Sequence, residues 1–242
     1  MKKEWFESWF ESDLYDMMYK HRDDEEAEAF LSNLLKHLKP TADASFLDLA
    51  CGTGRHARFI NSLGFHVVGV DLSQRKISIA SKHAQENLEF YIQDMRKPMR
   101  INYFDFVLNL FTSFGYFDDI RDNYRVLKSV KSSLKSNGTF LIDYMNGYFI
   151  EKNLVKHEKK EYDDWTVDIT RVVEDKRLIK TMHWSNGEIE RNYSEKVTLF
   201  SLADFTDMLD KFDFKINHVF GDYKLNDFDL NHSPRLIIES IC

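Results

Sequence analysis

Five stretches of this chain are apolar almost from end to end, as strands buried on both faces are. They are Ser45–Cys51 (SFLDLAC), His66–Asp71 (HVVGVD), Leu88–Asp94 (LEFYIQD), Phe104–Leu110 (FDFVLNL) and Thr139–Met145 (TFLIDYM). Between them the apolar positions recur at helical spacing. Arg55–Leu63 is one such helix, and Ser73–Glu86 opens with a serine able to cap it. Asp119–Lys135 sets Ile120, Tyr124, Leu127, Val130 and Leu134 on one face, and Asn137-Gly138 is expected to close it. Strands and helices alternating in this way predict βαβ units, hence an α/β doubly wound, mostly parallel sheet with helices on both faces.

The rhythm changes after about residue 150. WTVDITRVV, RLIKTMHW and EIERNYSEKVTLF, within 161–200, alternate as half-exposed strands do, with Asn186-Gly187 as a hairpin turn. A helix (Ser201–Phe212) and two strands (FKINHVF and RLIIESI) follow. The expected organisation is one domain in four parts: an N-terminal helical segment over 1–40, a core over 41–150, a small antiparallel insertion over 151–200, and a completion of the core sheet over 201–242. The Lys-rich stretch Lys152–Lys160 reads as a solvated face.

Composition narrows the function. The 242 residues are 43% hydrophobic and 14% aromatic, enough for a sizeable core. Lys and Arg number 33 against 40 Asp and Glu, a formal charge of −7, which argues against nucleic acid as a partner. No apolar run approaches the ~18 residues of a membrane helix, and the acids of MKKEWFESWFESD do not suit a signal peptide. Cys51 and Cys242 define neither a disulfide framework nor a metal spacing, and the nine histidines show no ligand-like clustering. A cytoplasmic protein without a metal, as monomer or homodimer, is the expectation.

The richest local signal is Phe46-Leu-Asp48-Leu-Ala50-Cys51-Gly52-Thr53-Gly54-Arg55-His56-Ala57, a strand running into a glycine turn and then a helix. Glycines serve where the backbone takes φ > 0 or where a ligand presses on it. Nineteen residues past Gly52, the next strand ends at Asp71, where a carboxylate can accept both hydrogen bonds of a ribose diol. The two features together predict an adenosine-containing cofactor across the strand ends. Gly52-x-Gly54-x-x-Ala57 also fits a dinucleotide fingerprint, so an NAD(P)-dependent oxidoreductase stays open. Asp48 weighs against it, because a carboxylate there would oppose a pyrophosphate and suit an ammonium.

Residues 46–145 resemble the core of a class I S-adenosylmethionine-dependent methyltransferase. The resemblance rests on LDLACGTGR, VVGVDLS, the Gln93-Asp94-Met95 corner and FDFVLNLFTSFGYF, in order and at the right separations. Ala50 stands where the family's usual first glycine is found. The resemblance implies a Rossmann-like seven-stranded sheet with its last strand antiparallel, and S-adenosylmethionine as cofactor. It implies that Asp48 and the backbone of Ala50, Gly52 and Gly54 hold the methionine moiety, and that Asp71 holds the ribose. Leu72 would pack on adenine, Asp94 would accept from its exocyclic amine, and Met95 would supply an N–H. Asn109 and Leu110 would line the sulfonium side. Each also has a plain structural reading: Asp48 as a helix cap, Asp94 as a turn residue, Leu72 as core.

Methyl transfer from a sulfonium needs alignment and exclusion of water more than a catalytic constellation, and none stands out here. The resemblance makes the N-terminal segment a lid, with Tyr15, Tyr19 and Arg22 on one helix face: aromatic faces for a sulfonium and Arg22 for a carboxylate. Trp5, Phe6, Trp9 and Phe10 serve equally to dock it. Phe111, Phe114, Tyr116, Phe117 and Asn146 are candidates for the acceptor side, and His56 for a base or a helix-terminal hydrogen bonder. The expected activity is methyl transfer to N or O of a small-molecule acceptor. A non-catalytic S-adenosylmethionine-binding protein is the remaining alternative.

Overall fold

The computed structural model describes residues 4–19 and 24–242. The five apolar runs form β1 (Ser45–Leu49), β2 (His66–Asp71), β3 (Leu88–Ile92), β4 (Phe104–Asn109) and β5 (Leu134–Met145), all parallel. β10 (Lys215–Phe220) and β11 (Arg235–Ile241) complete a seven-stranded sheet in the order β10-β11-β5-β4-β1-β2-β3. β11 runs antiparallel to both neighbours, as expected of the last strand.

Alternate residues of each strand feed two cores. Leu47, Leu49, Val107 and Phe140 pack with α6 (Ile120–Ser133) and α8 (Leu202–Asp210) on one face. Phe46, Val67, Leu108 and Ile237 pack on the other with α3 (Asp24–Leu38), α4 (Arg55–Ser62) and α5 (Gln74–Ala80). Asp48 lies between Leu47 and Leu49 and so falls on the second face, at the start of α4, in a position that would otherwise be apolar.

The insertion is a separate four-stranded antiparallel sheet in the order β6-β7-β8-β9, formed by β6 (His157–Tyr162), β7 (Trp165–Glu174), β8 (Arg177–Ser185) and β9 (Glu190–Thr198). Two short helices, α1 (Trp5–Phe10) and α2 (Asp13–Tyr19), lie on it. Trp9, Leu14 and Met18 bury against Val167, Ile169, Met182 and Trp184. Trp9 Nε1 and the Tyr19 hydroxyl both donate to Glu195, whose other oxygen takes Lys180 Nζ at 3.2 Å. Arg75 of α5 holds α2 from the other side, through Asp13 at 2.7 Å and Asp16 at 2.6 Å.

Three expectations are corrected. The helix opened by Ser73, whose side chain accepts from Lys76 N–H, ends at Ala80 in a 3-10 turn and does not run to Glu86. Asn137-Gly138 does not close α6. The helix stops at Ser133, and 135–138 bulge out of β5 because Leu134 pairs with Phe104 while Thr139 already pairs with Phe106. Ile120 is exposed, and Val126 fills the core instead. The Lys-rich stretch is solvated but structured: it ends α7 (Gly147–Lys152) and enters β6, a charged edge strand of the kind that resists pairing with other chains. Among the described residues no helix is long and apolar enough to cross a membrane.

Candidate active site

A cavity of about 460 Å³ opens at the carboxyl ends of β1, β2 and β4, beneath α1 and α2. Its first wall is the turn after β1. Ala50 (φ 64), Gly52 (φ 58) and Gly54 (φ 79) all take left-handed backbone, which turns the chain back on itself before α4. Alanine in that region costs roughly 1–2 kcal/mol. At Gly54 a Cβ would also lie 2.5 Å from the Phe90 ring, so only glycine fits there.

Asp71 organises the second wall. One carboxylate oxygen accepts from Gly52 N–H and the other from Ser73 N–H, both at 2.8 Å, which joins the β1 turn to the start of α5. An ionised carboxylate offers about four acceptor positions, so two stay open to a diol. Leu72 beside it is 40% exposed, an apolar face turned into the cavity. Asp48 sits behind the turn, 1% exposed. Burial pushes its carboxyl up to about 7, against the opposing pull of the Ala57 N–H, and its Oδ2 has no partner. A buried carboxylate oxygen without a partner is costly, and it becomes favourable once a cation or donor reaches it. Cys51, next along, is a buried thiol pushed up by burial and is inert as a nucleophile.

Asp94 and Met95 line the cavity as expected, but Asp94 is already clamped. Arg96 Nε donates to both carboxylate oxygens at 3.0 Å and Nη2 to one at 2.6 Å. Burial lifts the Asp94 carboxyl, and Arg96 outweighs it, holding it below its ordinary value. Arg96 also reaches Asp122 at 2.9 Å and lies over the Phe117 ring. Its role was not foreseen, since an acid and an arginine two positions apart are commonplace until a turn folds them together.

The last wall follows β4. Phe111 (φ 55) and Thr112 (φ 60) are consecutive non-glycine residues in left-handed conformation, a strained turn that persists only if it is held. Asp143, fully buried, holds it: one oxygen accepts from Phe111 N–H at 2.8 Å, the other from Arg235 Nε at 2.8 Å. Arg235 also donates to Thr112 Oγ1 at 3.0 Å. The turn presents the Phe111 ring to His56, stacked at 4.9 Å, and to the Arg55 guanidinium at 5.0 Å.

Of the other expected site residues, Tyr15, Tyr19, Leu110 and Tyr116 line the cavity with Ala50 and Gly52. Lys76 stands 4.0 Å over the Tyr15 ring, so a cation already occupies that aromatic face. Gly54 shapes the turn from behind, and Asn109 is buried with Nδ2 on Leu49 O at 3.0 Å. Asn146 does not reach the cavity, which corrects its expected acceptor role. Its amide is used on Leu230 O, Ser233 O and Tyr148 N–H, capping α7. Arg22 lies outside the described residues.

The profile of the family described as "Methyltransferase domain" matches residues 40–187. The chain belongs to this family. It is an S-adenosylmethionine-dependent methyltransferase of class I. A provisionally named methyltransferase, YqeM of Bacillus subtilis (strain 168), is 27% identical over 188 residues, 73% of this chain and 76% of that one. The dTDP-3-amino-3,4,6-trideoxy-alpha-D-glucopyranose N,N-dimethyltransferase of Streptomyces venezuelae is 28% identical over 134 residues, covering 54% of this methyltransferase and 56% of its own length. This methyltransferase thus matches about half the length of that sugar-modifying relative. In fold it is similar to an S-adenosylmethionine-dependent methyltransferase of Clostridium acetobutylicum ATCC 824, at TM-score 0.78 and 20% identity over 94% of this chain and 96% of that one.

Proposed function

We propose that this methyltransferase moves a methyl group onto nitrogen or oxygen of a small-molecule acceptor, and that the cavity at the strand ends takes cofactor and acceptor together. The observation that carries this reading is the set of donors and acceptors at the strand ends. The unpartnered Oδ2 of Asp48 suits the ammonium of a methionine moiety, and the open lone pairs of Asp71 suit a ribose. Bound S-adenosylmethionine supplies a methyl group already activated on a sulfonium.

The chain's own groups then bind and align. The turn backbone at Ala50, Gly52 and Gly54 accommodates the methionine end, Leu72 covers the adenine, and Met95 offers its N–H. Asp94 accepts from the adenine amine only by sharing its oxygens with Arg96. Leu110 forms the sulfonium side, and Asn109 is buried behind it on Leu49 O. Tyr15 and Tyr19, with α1 and α2, act as a lid that excludes water. Phe111 and Tyr116 flank the acceptor. Arg55 and Arg58 line the same cavity and favour an acceptor carrying an anionic group. The name of the Streptomyces venezuelae relative, an N,N-dimethyltransferase of a nucleotide-linked sugar, and that of an O-methyltransferase from Pelagibacter ubique support acceptors of this size and both atoms. A cytoplasmic monomer or homodimer completes the proposal, supported by two free cysteines.

Calorimetric titration with S-adenosylhomocysteine and with NADH, with Asp71→Ala as control, tests it. Micromolar binding of the first alone, lost in the variant, is expected. Binding of NADH alone would overturn the roles given to Asp48 and Asp94.

A further inference from the structure

The sequence shows no clustering of histidines, yet the fold gathers two of them with an acid at the sheet edge remote from the β1–β2 turn. His37 comes from the last turn of α3, His218 from β10 and Glu239 from β11, where His218 and Glu239 are direct cross-strand partners. Glu239 Oε2 lies 2.7 Å from His37 Nε2 and 3.2 Å from His218 Nδ1, and the three donor atoms all fall within 4.8 Å of one another. The two imidazoles stand nearly perpendicular, at 89°, with Phe220 stacked under His218 and edge-on to His37.

The electrostatics of this cluster are incomplete. Glu239 is 5% exposed on a strand whose neighbours are Ile237, Ile238 and Ile241. A carboxylate so buried needs a compensating charge. Its side-chain partners are the two imidazoles, each of which when neutral gives it one N–H. A divalent ion among the three atoms would supply the charge and use the same lone pairs.

We propose that His37, His218 and Glu239 bind one divalent ion of the zinc class. Two imidazole nitrogens and one carboxylate oxygen are a zinc donor set, unlike the all-oxygen sets of magnesium and calcium. Tetrahedral zinc at ~2.0–2.1 Å from its ligands sets them roughly 3.3 Å apart. Here the carboxylate oxygen is 2.7 and 3.2 Å from the two nitrogens and all three atoms lie within 4.8 Å, so small side-chain shifts suffice. His218, with half its side chain exposed, leaves an entry path and a fourth position for water. The ion would fasten the end of α3 to the β10–β11 ribbon. It stands apart from methyl transfer, so the proposal does not depend on the acceptor or cofactor reading.

The test is calorimetric titration of chelator-treated full-length protein with zinc chloride and, separately, magnesium chloride. One equivalent of zinc should bind at about micromolar Kd or tighter. Magnesium should not bind, and Tm should rise by about 5 °C at a hundred-fold excess of zinc over Kd. His218→Ala and His37→Ala should each weaken zinc at least tenfold, with binding of S-adenosylhomocysteine retained as the check on folding. Cobalt should give visible d–d bands in the wild type and not in the double variant. Absence of a one-equivalent site in the wild type, or its survival in the folded double variant, would overturn the proposal and leave a plain hydrogen-bonded triad.

Discussion

Asp48 makes cofactor binding a titration. Its carboxyl is raised from the ordinary 3.8 to about 7, chiefly by burial. If only the ionised form receives the cofactor's ammonium, the apparent Kd is the intrinsic value divided by the ionised fraction. With a midpoint near 7, that fraction is roughly 9% at pH 6 and roughly 91% at pH 8, so affinity for S-adenosylhomocysteine should improve about tenfold across the interval. Near pH 6 each binding event should release close to one proton, read by titration in two buffers of different ionisation enthalpy. The stability of the free protein runs the opposite way. A folded value above the unfolded one means the stabilising contribution is whole below pH 3.8 and is lost as pH rises through about 7, an effect of order 4 kcal/mol at most. Asp48→Asn, neutral at every pH, should raise Tm of the free protein above pH 7. It should also weaken the ligand at least tenfold at pH 8 and flatten the pH dependence. A wild-type Kd that is level from pH 6 to 8, or a pH dependence that survives in Asp48→Asn, would refute the reasoning.

Three further outcomes follow from particular contacts. Asp71→Ala removes two charged hydrogen bonds that hold the turn as well as the proposed ribose acceptor, and should weaken S-adenosylhomocysteine by about a hundredfold or more in calorimetry. Gly54→Ala combines the left-handed penalty of about 1–2 kcal/mol with overlap on Phe90, and should lower Tm by at least about 4 °C in thermal denaturation. Lys180→Met strips the cation from Glu195 in a mostly buried cluster and should cost about 3 kcal/mol, seen as faster protease cleavage in the N-terminal segment; Lys180→Met with Glu195→Gln should recover part of the loss.

How far the sequence could be read depended on how local the deciding interaction is. The parallel strands were legible because both faces of each are covered, so Val67–Val70 reads as an unbroken apolar run and β1 is broken only by Asp48. The β1 turn was legible because left-handed backbone selects glycine, with Ala50 the tolerated exception. Asn137-Gly138 misled for the same reason: the pair marks a left-handed residue correctly, but Asn137 N–H bonds to Cys242 O across the sheet, and only the fold reveals that the turn is a bulge in β5. The Asp143–Arg235 clamp and the His37–His218–Glu239 cluster unite positions far apart in sequence, where no spacing rule applies. Asn146 has the residue type of a binding group and the surroundings of a cap, and surroundings decided it.

Four aspartates stand at the carboxyl ends of the sheet, and their neighbours separate them. Asp71 is met by two backbone N–H groups, Asp94 by Arg96, and Asp143 by Arg235 together with Phe111 N–H. Asp48 alone has a buried oxygen that nothing meets, and burial raises its carboxyl accordingly. Identical side chains on adjacent strands therefore have different work available to them. Three already have hydrogen-bond partners in the fold and serve to set its shape, with Asp71 and Asp94 retaining lone pairs toward the cavity. The fourth keeps a buried oxygen without a hydrogen-bond partner, at a cost in free energy. A ligand bearing an ammonium removes that cost and a neutral or anionic one does not, which is the physical ground for the proposed place of the cofactor's methionine end at this aspartate.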